Sequence, residues 1–145
     1  MVKARVKMDM HMETIEEVRE FFASDEFANK CLGAKIDDFD FQTGEATVSM
    51  TIDDRHHNAQ GYVMGGVFFA LSDFALALAS NVNQEPSASV SATMDFMRRA
   101  KGDKLVAKAH PTKLGKTLAF YEVEVFDETG RAVARLNATS MRTNH

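Results

Sequence analysis

Residues Asn58 to Asp73, reading Asn-Ala-Gln-Gly-Tyr-Val-Met-Gly-Gly-Val-Phe-Phe-Ala-Leu-Ser-Asp, lead a glycine pair into an apolar run that carries one carboxylate. Glycines at a helix start leave backbone N–H groups bare where the helix dipole favours negative charge, which suits an oxyanion developing during attack on a carbonyl. Two turns further on, Asp73 sits among Leu71, Phe74, Ala75 and Leu76. A carboxylate in such company is expensive to bury unpaired, and it has the chemistry of a general base or a nucleophile. Eight residues of helical rise separate Gly65 from Asp73 by about 12 Å, too far for one carbonyl to meet both groups. If both act on the same carbonyl, they come from different copies of the chain and the site lies at a dimer interface. The alternative is that Gly65-Gly66 serves close helix packing and Asp73 is a buried, hydrogen-bonded structural acid.

Other reactive residue types are less well placed. His56-His57 lacks a further His or carboxylate at ligand spacing and reads as a pair of loop polar groups, so no metal site is expected. No Gly-x-Ser-x-Gly elbow occurs, which leaves Ser72 and Ser80 as poor nucleophiles. Walker and dinucleotide fingerprints are also missing. Between Arg98 and Lys116 stand seven cations against Asp103 alone, a net +6, leaving −10 for the rest of a chain whose total is −4. Such a segment is usually a solvated strand edge, but Lys113-Leu-Gly-Lys116 at a turn could also receive the phosphates of a long ligand.

The elements that must position these groups follow from periodicity. Thr14 and Glu17 form a capping box, and Ile15, Val18, Phe21 and Phe22 recur at helical spacing, predicting a surface helix over about 13–31, broken near Ser24-Asp25 and ended near Gly33. Glu45–Ile52 alternates strictly and predicts a strand with one wet side. A polar loop, 53–63, leads to a helix over roughly 65–82 that is apolar nearly all round and therefore central. Four alternating runs follow, Ala88–Met97, Lys104–Thr112, Thr117–Asp127 and Arg131–Met141, the last two joined by a hairpin turn at Glu128-Thr129-Gly130. Short turns between consecutive strands favour an antiparallel sheet. Five strands curled around one apolar helix make an α+β fold in a single domain spanning 1–145.

Composition narrows the function classes. A charge of −4 with pI near 5.7 argues against general affinity for nucleic acid or anionic membranes. Cys31 is the only cysteine, so no internal disulfide forms and a reducing, cytoplasmic location is expected. No export signal is visible at the N-terminus. The longest apolar span, Val63–Val82, has Asp73 at its centre, where a charge costs roughly 2.5–3.5 kcal/mol in a membrane, so it reads as a helix buried in protein.

Over about residues 40–142 the pattern resembles the hotdog-fold acyl-CoA thioesterases of the phenylacetate-pathway, PaaI-like type. In that family Asn-x-x-Gly-x-x-His-Gly-Gly precedes the central helix, which carries the acid; Asn58, Gly61, Gly65, Gly66 and Asp73 match it here. The segment Lys113-Leu-Gly-Lys-Thr-Leu-Ala-Phe-Tyr-Glu-Val-Glu-Val, the Asp127-Glu-Thr-Gly turn and the closing Ala132–Thr139 strand are similar too.

The resemblance implies a hotdog fold, an antiparallel sheet of five to six strands wrapped around a long central helix, and hydrolysis of an acyl-CoA to acid and free CoA. It implies that the Gly65 N–H polarises the thioester carbonyl while Asp73 of the other subunit activates water or attacks. Asn58 would hold the nucleophile or substrate near the carbonyl, and Ser89 would orient the water. Met64, Gly66 and Phe69 would border the substrate, with Phe68, Phe69 and Phe74 either lining an acyl pocket or packing as ordinary core. Lys113, Gly115 and Lys116, together with Arg98 and Arg99, would contact the nucleotide end of CoA. Family members are dimers or tetramers with interfacial sites, so a homodimer or homotetramer is expected. No metal or cofactor is expected apart from the coenzyme A of the substrate, and neither nucleic acid nor membrane as a partner.

One position departs from the family motif: its histidine is Met64 here. A hydrogen-bonding side chain has become an apolar thioether, while the Gly65 backbone donor is untouched by any side-chain change. Reduced or retuned thioesterase activity is the resulting expectation. A non-catalytic acyl-CoA-binding or sensing protein on the same fold is the alternative, and a hydratase ranks last because its catalytic histidine would fall at Met64.

Overall fold

Thr14 opens the first helix, α1 (Ile15–Phe22), by accepting from the Glu17 N–H at 3.2 Å, while the Glu17 carboxylate turns back to the Thr14 hydroxyl and the Glu13 N–H. The computed structural model describes residues 11–143. The break expected near Ser24-Asp25 is present: the chain leaves α1 after Phe22 and rewinds, as a wider π-helical turn instead of a second α-helical stretch, over Phe27–Leu32. Asp25 sits in the break, its Oδ1 accepting from the Ala28 N–H at 3.1 Å. Gly33, at φ +70°, closes the turn in the left-handed conformation that a glycine adopts without strain.

Six strands follow, β1 (Lys35–Phe39), β2 (Ala46–Thr51), β3 (Ser87–Phe96), β4 (Lys104–Leu114), β5 (Leu118–Asp127) and β6 (Ala132–Arg142), interrupted by the central helix α2 (Gly65–Asn81). They form one antiparallel sheet in the order β1-β2-β4-β5-β6-β3, the hotdog arrangement of a sheet around a helix. The strand absent from the periodicity is β1. Its register slips between Ile36 and Asp38, so only Ile36 and Phe39 turn inward and the alternation that marks a strand is broken. Similar slips between Ser89 and Ser91, Pro111 and Lys113, and Val125 and Phe126 bend the sheet into a trough.

Small residues line that trough. Ala46, Ala107, Ala109, Ala119 and Ala134 are fully buried and let α2 lie close to the sheet, where Leu71, Ala75, Leu76 and Leu78 pack among Val48, Val123, Val125 and Leu136. Ser49, expected on the wet side of β2, is buried instead. α2 is central, as its apolar composition predicts, but it is not covered all round. Gly66, Phe69 and Asp73 are exposed, with Ala70 and Ala77 half-buried between them, because a curved sheet covers one side of a helix and the π-turn covers only part of the other. Among the described residues no helix is long and apolar enough to cross a membrane.

Candidate active site

The loop before α2 is held by its own side chains. Asp53 caps the short 3-10 turn Asp54–His56 through the Arg55 N–H, and His56, buried, accepts from the Asp53 N–H at Nδ1, 3.0 Å away. The Nδ1 of His56 is therefore spent on loop architecture, while its Nε2 is buried without a hydrogen-bond partner among the described residues. Among the described residues no cluster of three His, Cys, Asp or Glu side chains forms around either histidine or elsewhere. Asn58 next ties a tight turn: its Oδ1 accepts from the N–H groups of Gln60 (2.9 Å) and Tyr62 (3.1 Å), and Gly61 supplies the φ of +86° that the turn requires. This leaves Nδ2 as the side chain's free donor. The Met64 N–H to His56 carbonyl bond, 2.9 Å, then aims the chain into α2.

Met64 is the N-cap of α2, extended in backbone, 54% exposed, and without a side-chain cap. A thioether is too weak an acceptor to satisfy the first amides of a helix. Among the described residues neither the Gly65 nor the Gly66 N–H finds an acceptor, so two donors stand free at the positive end of the helix dipole. A Cβ on Gly65 would lie 3.0 Å from Cε1 of Phe96, so the ring at the end of β3 approaches the bare backbone directly.

Asp73 projects from the uncovered face of α2 into a cleft of about 540 Å³ shared with Asp25, Phe27, Phe69 and Phe74. Its carboxylate forms no hydrogen bond or ion pair among the described residues, which removes the reading of a buried, hydrogen-bonded structural acid. Loss of hydration between these apolar walls, and second the negative charge of Asp25, hold the Asp73 carboxyl above the ordinary carboxylate range.

The sequence-predicted residues fall into separate groups. Gly65 and Asn58 line a cleft of about 450 Å³ with Phe68, Phe96, Arg98 and Arg99, the Arg99 guanidinium stacked 3.6 Å above the Tyr62 ring. Met64 and Gly66 border a third cleft, about 480 Å³, against the π-turn, and Gly66 also reaches the Asp73 cleft beside Phe69. Ser89 lies exposed on the edge strand β3 opposite Ser140 and lines neither the Gly65 nor the Asp73 cleft. Lys113, Gly115 and Lys116 form the β4–β5 hairpin, where a Cβ on Gly115 would collide with the Leu118 carbonyl oxygen. That hairpin is at the far end of β4 from Arg98, which hangs from Val133 near the β5–β6 turn; eleven residues of strand span about 35 Å. One chain thus keeps Gly65 apart from Asp73, and Arg98 apart from Lys113 and Lys116. Sequence reasoning missed Asp25, Phe27 and Phe96 at these clefts. Only the helix break at Ser24-Asp25 signalled the first two, and Phe96 is reached by a strand end that periodicity cannot orient.

Known proteins resemble this chain in sequence and in fold. The thioesterase superfamily model matches residues 60–134, which include the glycine pair and Asp73. A putative esterase of Archaeoglobus fulgidus is 31% identical over 91% of this chain and 85% of its own. Human acyl-coenzyme A thioesterase 13 is 34% identical over 70% of this chain and 73% of its own. The solved structure of the Escherichia coli PaaI protein superposes with a TM-score of 0.81 at 28% identity, covering 89% of this chain and 92% of that one. With the matched segment running from the loop before α2 into β6, and the sheet wrapped on α2 as in the PaaI structure, this chain belongs to the thioesterase superfamily as a PaaI-like hotdog thioesterase.

Proposed function

We propose that this thioester hydrolase acts on acyl-CoA, with the Gly65 N–H of one copy polarising the thioester carbonyl and Asp73 of a second copy acting on the same carbon. Water adds to the carbonyl carbon, its proton passes to Asp73, the C–S bond breaks, and that proton leaves with the sulfur as free CoA. In the nucleophilic variant, the Asp73 carboxylate attacks the carbonyl carbon, the C–S bond breaks to release CoA as thiolate, and water then cleaves the resulting anhydride to give the acid, return the Asp73 carboxylate and supply the proton that the thiolate takes up. CoA as the carrier is supported by the names of the relatives, among them the human acyl-coenzyme A thioesterase 13 and the E. coli acyl-coenzyme A thioesterase PaaI.

The observation that carries the reading is the separation of Gly65 and Asp73 into different clefts of one chain. A second copy supplies the missing half. β3 is an edge strand of ten residues with Val90 57% exposed, and the adjoining α2 face is apolar around Asp73, two surfaces that suit a symmetric contact between copies. In such a dimer Asn58 offers Nδ2 near the carbonyl, Ser89 on β3 orients the water, and Phe69, Met64 and Gly66 border the acyl group. Arg98 of one copy and the Lys113-Gly115-Lys116 hairpin of another receive the CoA phosphates from opposite ends of the sheet. The chemistry draws on no metal or cofactor beyond the coenzyme A of the substrate, and it suits the cytoplasm, where Cys31 stays reduced.

The test is free-thiol release from short, medium, long and aromatic acyl-CoAs, with Asp73→Asn run in parallel. Turnover that vanishes in the variant while acyl-CoA still binds supports the mechanism; an active Asp73→Asn removes the carboxylate from it. A second reading, a non-catalytic acyl-CoA binder, is favoured by Met64 at the helix N-cap. Tight acyl-CoA binding without thiol release across the panel would select it.

A further inference from the structure

The cleft that holds Asp73 contains a second carboxylate. Asp25 reaches it from the break between α1 and the π-turn, fixed there by the Ala28 N–H. Phe27, Phe69 and the buried Phe74 line the same cleft, whose mouth leaves both acids in contact with solvent. Neither acid forms an ion pair among the described residues, and Lys30, the one cation of the π-turn, is tied to Glu26 at 2.9 Å. Asp73 is the sole charged residue of α2, and the sheet face beneath the helix is apolar, built from residues such as Val48, Ala107 and Val123. The charges facing Asp73 are therefore Asp25 and, on the same turn, the self-compensated Glu26–Lys30 pair.

We propose that Asp25 is a positioning residue for the hydrolysis, its negative charge across the cleft making Asp73 a stronger base. This rests on the reading of Asp73 as the group that takes the proton from water. A like charge across the same cleft disfavours ionisation, so Asp73 binds a proton more tightly than it would alone. The local fold needs Asp25 only as an acceptor for Ala28, a role that does not require charge.

The experiment uses Asp25→Asn, which keeps an acceptor for the Ala28 N–H, and Asp25→Ser, which caps without charge by a different side chain. Carboxyl-labelled aspartate followed by carbon NMR gives the Asp73 titration directly, the resonance being identified by its loss in Asp73→Asn. Both Asp25 variants are expected to lower the Asp73 midpoint by about 0.5 pH unit, and the acidic limb of kcat/KM should move with it. Raising salt to about 1 M should shrink the difference, since screening then acts over a few ångströms. An Asp73 midpoint unmoved in both variants would overturn the proposal. A midpoint that moves while the kcat/KM limb stays fixed would leave the coupling standing and remove Asp73 as the base, so the two readings fail separately.

Discussion

Phe96 stands against the bare backbone of Gly65: a Cβ at that glycine would lie 3.0 Å from the ring's Cε1. The contact joins the end of β3 to the start of α2, and both residues line the cleft into which the free amides open. Gly65→Ala must therefore push the ring or tilt the amide. Its φ is ordinary, so the fold should accept alanine. We expect kcat/KM to fall about 10–100-fold, the penalty for moving an oxyanion donor out of line, with the thermal melting temperature nearly unchanged. Kinetics and a melt on the same preparation check this, and an alanine variant with full activity would take the Gly65 amide out of the reaction.

Met64→His tests the departure at the N-cap. The methionine gives no hydrogen bond there and its Cε would crowd a Cβ at Gly66, 2.8 Å away, so a flexible side chain lies over the free donors. A histidine returns a polar group beside the substrate carbonyl or the water. Turnover is expected to rise by about tenfold, at the low end of what one positioned acid–base group contributes. If acyl-CoA hydrolysis stays flat, Met64 is not what limits the chemistry.

Most of the fold was legible because β4 and β5 alternate in burial, β2 and β6 alternate in sequence, and α2 is apolar apart from Asp73 and a few small polar residues. What escaped has physical causes. β1 hides behind a register slip that puts Asp37 and Asp38 together on the outside, and the π-turn keeps helical composition while changing its winding. The separation of Gly65 from Asp73 within one chain was readable from helix rise alone. Asp25 was not, since periodicity marks where a helix breaks without saying which cleft the freed side chain enters. Ser89 and the Lys113–Lys116 hairpin show the converse: residue types and a motif gave candidates, but only the strand order places them far from Gly65 within one chain.

Val90→Lys addresses the need for a second copy. Val90 is exposed on the free edge of the sheet and sits at the register slip between Ser89 and Ser91, so β6 does not depend on it for pairing. A lysine on an edge strand opposes strand addition by charge and by hydration. Sedimentation should show self-association weakened by about 100-fold, equivalent to a few kcal/mol, and activity should fall in step with the loss of the oligomer. A monomeric yet fully active variant would mean that one chain builds the whole site.

Asp127 supplies the clearest link between pH and stability. Buried at the β5–β6 corner, its carboxylate accepts from the Lys101 N–H (2.9 Å), the Thr129 N–H (2.9 Å) and hydroxyl, and meets the Arg131 guanidinium at 3.3 Å. Burial alone would push its pKa up, but these donors outweigh burial and hold the carboxyl well below the usual range. A group depressed in the folded state contributes stability that is fully present above the unfolded pKa, about 3.9, and is lost as pH falls from there through the folded value. Asp127→Asn turns an amide donor toward groups that themselves donate and leaves Arg131 without its counter-charge. We expect it to lose about 2–3 kcal/mol at pH 7. The gap to the parent protein should hold down to about pH 4 and then narrow as the parent's carboxylate protonates. Denaturant midpoints at pH 7, 4 and 3 measure this directly, and a gap that is constant to pH 3 would mean that the Asp127 charge does not hold the corner.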